Sequence, residues 1–168
     1  GVITGFLLLD ERDDRTLTAL MVTPLPLTSY LAYRLSAPLI ISTLLALVTY
    51  PLVGLLSLPW YTLLLIALLS GFAAPILALV LASLAANKVA GLALQKMLGS
   101  LLFLPVVAYF LPEPWQWLAG IFPTYWPMKV FWLAAARQPY LFPLMIGILI
   151  NSTYLVMFVR LFNRAMHR

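Results

Sequence analysis

The chain has 168 residues, 64% of them hydrophobic and 9% charged, with a mean hydropathy of +1.03. A soluble domain of this size carries roughly a quarter charged residues to face water, so the ten basic and five acidic side chains here exclude a water-soluble globule. Lipid requires few charges. With no cysteine, a disulfide framework and a thiolate metal site are excluded as well. The basic excess reads as charge beside anionic lipid headgroups at the cytoplasmic side, with no nucleic acid as partner.

In chain order, residues 1–9 are apolar but too short to cross a bilayer, and are expected to be the inner end of a span whose earlier part is missing. The chain is then expected to be part of a longer protein. Asp10–Arg15 reads DERDDR, an unbroken run of charge, and leads into TLTALMVTP. Asp10 or Asp13 can cap a helix, where acidic groups suit the positive end, and Glu11 and Arg15 are spaced to pair. Leu17, Leu20 and Met21 form an apolar stripe, and Pro24 disfavours helix at the residue before it. The pattern predicts a short amphipathic helix over 10–24 on the cytoplasmic face.

A hydrocarbon core about 30 Å thick needs roughly twenty apolar residues in a helix. The stretches 35–58, 60–86, 89–111 and 140–159 meet or approach that length. The first contains Pro38 and Pro51, the third carries Gln95 and Lys96, and the fourth contains Asn151, Ser152 and Thr153. The predicted fold class is all-α: a polytopic membrane helical bundle with four full transmembrane helices, the end of another, and short interfacial helices.

Within 60–86, Ser70, Ala74, Ala78, Ala82 and Ala86 recur every four residues. Such a ridge of small side chains lets helices approach closely in lipid. Pro75, near Gly71, removes a helical hydrogen bond and predicts a kink. Segment 112–139 holds Trp115, Trp117, Tyr125, Trp126 and Trp132, rings that suit a headgroup region. It is expected to form one or two short helices lying at the outer interface or dipping in, broken near Pro123 and Pro127.

Four crossings with the DERDDR segment inside put Arg12, Arg15, Arg34, Lys88, Lys96, Arg160, Arg164 and Arg168 on the cytoplasmic side. Only Lys129 and Arg137 fall outside, a positive-inside asymmetry that places the C-terminus in the cytoplasm. No Asp, Glu, Lys, Arg or His lies deep in a span, where ion-coupled transporters hold their coupling groups; Asn151 is expected to make an interhelical hydrogen bond. The sequence has no phosphate-binding G-x-x-x-x-G-K-[ST] loop, no nucleophile–base pair and no metal cluster, so neither a catalytic residue nor a metal ligand is assigned. The chain is read as a non-enzyme, and energy for transport would have to come from a partner.

The run LLLDERDDRTLTALMVTPLPLTSYLAYRL resembles the stretch after the second span of ABC-2 type transporter permeases. Glu11, Arg12, Thr16, Leu17, Leu20, Thr23, Pro24, Leu27 and Tyr30 fill the family's pattern, and Arg34 stands where a basic residue usually opens the next span. NKVAGLALQK and LPVVAYFLPEPWQWLAGIFPTYWPMKVFWLA are similar to the fifth-span region and outer loop of bacterial members. The resemblance, covering Leu7 to Ala136, implies the C-terminal part of a six-span permease in a bacterial inner membrane. The partners it implies are an ATP-binding cassette ATPase subunit, which binds the ATP and Mg, and a second permease copy or homologue; no cofactor is implied for this chain itself. By carry-over, Glu11, Arg12, Arg15, Thr16, Leu17 and Leu20 would belong to the helix contacting that ATPase, with Asn87, Lys88 and Lys96 as a second contact. The residues alone leave two other readings open: an ATP-independent carrier or channel, and a non-transporting membrane scaffold.

Overall fold

Long apolar stretches free of charge can satisfy their backbone groups in lipid only as helices or closed barrels, and here they are helical. A computed structural model describes residues 1–14, 27–52 and 58–166. Its elements are α1 (Val2–Asp13), α2 (Leu27–Leu52), α3 (Trp60–Gly71), α4 (Ala73–Leu84), α5 (Lys88–Leu101), α6 (Leu104–Tyr109), a 3-10 helix η1 (Trp115–Ile121), α7 (Tyr125–Ala135) and α8 (Leu141–Met166). There is no strand among the described residues. Four segments are long and apolar enough to cross a membrane: Ser29–Tyr50, Trp60–Leu84, Lys88–Tyr109 and Leu141–Ala165. The protein is a polytopic helical bundle.

Two of these segments are interrupted, each just before a proline. The second breaks at Phe72, ahead of Pro75, and the third at Leu102 and Phe103, ahead of Pro105. Proline has no N–H for the carbonyl four residues earlier, so Pro75 leaves Gly71 C=O without its helical donor. The Ser42 hydroxyl of α2 lies 3.0 Å from that oxygen, the kind of neighbouring-helix donor that makes such breaks tolerable in lipid. Approach here is close enough that a Cβ on Gly71 would meet the Thr43 hydroxyl.

The small-residue ridge of α4 faces α1. A Cβ on Gly1 would lie 2.7 Å from Ala74 O, and one on Gly5 would lie 3.1 Å from the Ala78 backbone. The two helices run parallel, Gly1-xxx-Gly5 set against Ala74-xxx-Ala78, and Ala78 and Ala82 are fully buried. Ser70 belongs to another contact, its hydroxyl 3.0 Å from Tyr50 OH of α2. Ala86 lies beyond the end of α4 and is exposed. Lacking a hydrophobic drive between helices, such contacts rely on dispersion and close backbone approach.

Buried side chains form two clusters along the bundle. One joins Leu8, Leu31, Ile76, Leu79 and Phe162; the other joins Ile66, Leu69, Tyr125, Trp126 and Leu144. The first lies toward the end where the charged residues gather, the second toward the end rich in Trp and Tyr.

At that aromatic end, η1 and α7 form a hairpin turned at 122–124. Trp126 Nε1 donates to Gly120 O at 2.8 Å. Asn151, ten residues into α8, donates to Pro123 O at 3.3 Å and to Gly147 O of its own helix at 2.8 Å. Tyr154 donates to Ile121 O at 2.8 Å. At 1.5 Å per residue, these partners lie about 15–20 Å along α8 from its start, so the hairpin dips to the middle of that helix. Pro127 does not break α7: it is the third residue of the helix, where its N–H would have had no helical acceptor.

One expectation fails at the start of the chain. Asp10, Glu11, Arg12 and Asp13 are the last turn of α1, not the first turn of a new helix. Nothing between Gly5 and Asp13 breaks a helix, and Asp14 N–H continues the pattern to Asp10 O at 2.8 Å. Acidic groups at a helix C-terminus are disfavoured by its dipole, and basic partners from other helices offset that here. The rest of the expected 10–24 helix, including Arg15, Thr16, Leu17 and Leu20, lies outside the described residues.

Candidate partner-docking site at the charged end

Three consecutive residues of α1 reach three other helices. The Asp10 carboxylate pairs with Lys88 Nζ at 3.0 Å, at the first residue of α5. Glu11 accepts from Tyr30 OH at 2.5 Å and forms an ion pair with Arg34, both on α2. Arg12 turns to α4, donating from Nη1 to Ala82 O at 2.9 Å and from Nη2 to Ala85 O at 2.8 Å, with Ala86 O at 3.4 Å. Asp13 closes the group, 3.2 Å from Arg12 Nη2.

The Arg12 contacts answer a definite need. The last carbonyls of a helix have no intrahelical donor, and the negative end of the dipole favours a cation. A guanidinium fork offers several donors in one plane, and this one spans the end of α4 from Ala82 to Ala86. Its side chain is 15% exposed, whereas Lys88 is 66% exposed. The Arg12 bonds therefore fix structure, while the Asp10–Lys88 pair, like exposed pairs generally, contributes between nothing and about 1 kcal/mol.

Asn87 prepares the start of α5. Its Oδ1 accepts from Ala90 N–H at 2.9 Å, a side-chain N-cap. A turn later Gly91 is buried, and a Cβ there would lie 2.8 Å from the Phe6 ring of α1. Thus the structure brings Lys88 to α1 through Asp10, and Arg12 to the carbonyls just before Asn87. Lys96 is not in the group; it lies two turns further along α5 and is exposed. Tyr30 and Arg34 are the members that sequence reasoning missed as partners of Glu11, since no helical spacing relates 11 to 30 or 34.

The other end holds a buried cation. Lys129 of α7 is 6% exposed and donates to Glu113 Oε1 at 2.7 Å and Gln116 Oε1 at 2.8 Å. Tyr125 is fully buried, with no hydrogen-bond partner for its hydroxyl among the described residues. Burial first, and then the nearby Glu113 charge, pushes its phenol up to about 12. Among the described residues no group of three His, Cys, Asp or Glu side chains could hold a metal ion.

Four segments long and apolar enough to cross a membrane, three of them tied to α1 at the charged end, and a helical hairpin at the other end define a multi-pass membrane protein. The family model described as "Fluoroquinolones export permease protein Rv2686c-like" matches residues 1–159, and the chain belongs to that family. It is 34% identical over 149 residues to the fluoroquinolones export permease protein Rv2686c of Mycobacterium tuberculosis (strain ATCC 25618 / H37Rv). It is equally similar to the protein of the same description, MT2760, from Mycobacterium tuberculosis (strain CDC 1551 / Oshkosh). Each match covers 88% of this chain and 59% of the relative, so the chain spans about three-fifths of their length. No solved structure matches. The family description and the names of both relatives are those of export permeases.

Proposed function

We propose that the chain is the membrane-spanning permease subunit of an ABC-2 type exporter, coupled at its charged end to a separate ATP-binding cassette ATPase. The observation that carries this reading is the α1 terminus, where Asp10, Glu11 and Arg12 link to α5, α2 and α4. A push on that one turn is transmitted to three other helices through ion pairs and hydrogen bonds. With no Asp, Glu, Lys, Arg or His deep in a span, the reading takes the driving force from ATP and Mg bound by the partner.

In this reading the charged end faces the cytoplasm, in keeping with its basic residues, and the C-terminus lies on the same side of a bacterial inner membrane. Glu11, Arg12, Asn87 and Lys88 contact the ATPase or hold the residues that do. A second permease copy or homologue completes the pathway. The relatives' names support a fluoroquinolone-type drug, a planar aromatic carboxylate, as cargo.

The test is co-purification of the full-length protein with an ATPase, followed by drug-stimulated ATP hydrolysis and export in vesicles. Glu11→Ala is expected to leave ATPase binding measurable while separating hydrolysis from export. Drug flux in vesicles without any ATPase would defeat the reading in favour of an independent carrier.

A further inference from the structure

The basic residues divide into those with carboxylate partners and those without. Arg12, Arg34, Lys88 and Lys129 hold the ion pairs. Arg160 and Arg164, one helical turn apart and both exposed on α8, are in none of them. All five acidic side chains of the protein lie among the described residues, and none is within ion-pair distance of either arginine.

Both arginines lie on the face of α8 opposite Phe158 and Phe162, which are buried against the bundle. That outer face is open and is continued away from the arginines by exposed Met157, Val156 and Leu149. Helix contacts in lipid favour small residues, as α1 and α4 use Gly and Ala. The outer face of α8 carries exposed Leu149, Val156 and Met157, with Ser152 and Thr153 between them and no Gly or Ala. Its Thr153 hydroxyl donates to Leu149 O of the same helix at 2.7 Å and so asks for no partner from another helix. The exposed apolar side chains give acyl chains a surface to lie along.

Its depth suits a headgroup. Arg160 is nineteen residues after Leu141, about 28 Å along the helix, where a hydrocarbon layer about 30 Å thick gives way to headgroups. A bare helix C-terminus repels a phosphate, so two guanidiniums in i,i+4 register supply the attraction that the helix end lacks. We propose that Arg160 and Arg164 bind the phosphate of an anionic phospholipid whose acyl chains lie along Met157, Val156 and Leu149. The inference is independent of the exporter reading.

The full chain is reconstituted in vesicles of phosphatidylcholine mixed with phosphatidylglycerol, extracted gently, and weighed with its retained lipid by native mass spectrometry. Phosphatidylglycerol is expected to be retained in preference to phosphatidylcholine. In Arg160→Gln/Arg164→Gln that preference falls roughly thirtyfold, the product of two basic residues near a membrane surface. Arg160→Lys/Arg164→Lys keeps most of it, and Arg137→Gln, at the other end of the bundle, leaves it unchanged. In the unaltered chain, added salt lowers the preference, a measurement that needs no variant to fold. The proposal is overturned if the glutamine pair retains phosphatidylglycerol as before, if salt has no effect, or if Met157→Cys cross-links two copies through this face.

Discussion

The Ser42 hydroxyl sits 3.0 Å from the Gly71 carbonyl oxygen, the group that Pro75 leaves without a donor four residues on. The same hydroxyl lies 2.7 Å from Pro38 O and 3.1 Å from Leu39 O of its own helix. One proton serves one acceptor at a time, so the bond across to the kink competes with bonds inside α2.

This competition sets the size of the first predicted effect. Interhelical hydrogen bonds in membranes average about 0.6 kcal/mol and reach about 1.7 kcal/mol. Ser42→Ala should cost about that range in the native protein. Pro75→Ala restores an N–H for Gly71 O and makes Ser42 redundant there, so Ser42→Ala should be nearly neutral in that background. A double-mutant cycle by unfolding in mixed micelles gives the coupling; equal costs in both backgrounds would remove Ser42 from the account of the kink.

The α1–α4 contact depends on absent side chains. A Cβ on Gly5 already comes within 3.1 Å of the Ala78 backbone, and backbone cannot turn aside as a side chain can. Gly5→Leu must push the helices apart, and overpacking of this kind costs about 1–3 kcal/mol. It should also draw Arg12 off the carbonyls of α4. Gly99 of α5 has nothing within 4 Å of the same added atom, so Gly99→Leu should stay within about 0.5 kcal/mol of the parent. Comparing the two by reversible unfolding separates close packing from a general intolerance of bulk.

How much of this could be read from the sequence differs by feature. The spans were legible because apolar length is a one-dimensional property: 60–86 and 140–159 needed only counting. The Ala74–Ala78–Ala82 ridge was legible for the same reason, as a helical period within one segment. Which helix it would face was not, because Gly1 and Gly5 lie about seventy residues away and nothing local relates them. The charged run at Asp10–Asp13 misled for a physical reason. Acidic residues usually mark a helix start, but here tertiary partners, Arg34 and Lys88, hold them at a helix end. Pro127 and Pro123 looked alike in sequence, yet only the one outside the first turn of a helix interrupts the chain path.

Arg12 offers a direct measure of what helix-end satisfaction is worth. Arg12→Ala leaves the Ala82 and Ala85 carbonyls without their donor in a partly buried place, at about 1–3 kcal/mol. Arg12→Lys places a point charge where a planar fork bridged two oxygens, and should recover about half. Amide hydrogen exchange across 83–88 reports the local effect: faster in Arg12→Ala, intermediate in Arg12→Lys, unchanged at Tyr125–Ala135. A uniform increase over the whole chain would mean that Arg12 acts through global stability instead of the α4 terminus.

Tyr125 supplies a pH dependence with a definite sign. Its phenol is fully buried and raised from the ordinary 10.0 to about 12, by burial first and by Glu113 second. Below pH 10 the phenol is neutral in both folded and unfolded chains and contributes no slope. Between 10 and about 12 the unfolded chain loses this proton while the folded chain keeps it, so stability falls as pH rises through that window. Tyr125→Phe removes the ionisation, and because the hydroxyl has no hydrogen-bond partner among the described residues, it removes little else. The variant should match or slightly exceed the parent in stability at neutral pH and diverge upward from it above pH 10. The difference in ultraviolet absorbance between parent and variant during alkaline titration should rise near the raised value; a rise centred at 10.0 would mean that the ring is wet, and the hairpin no seal for it.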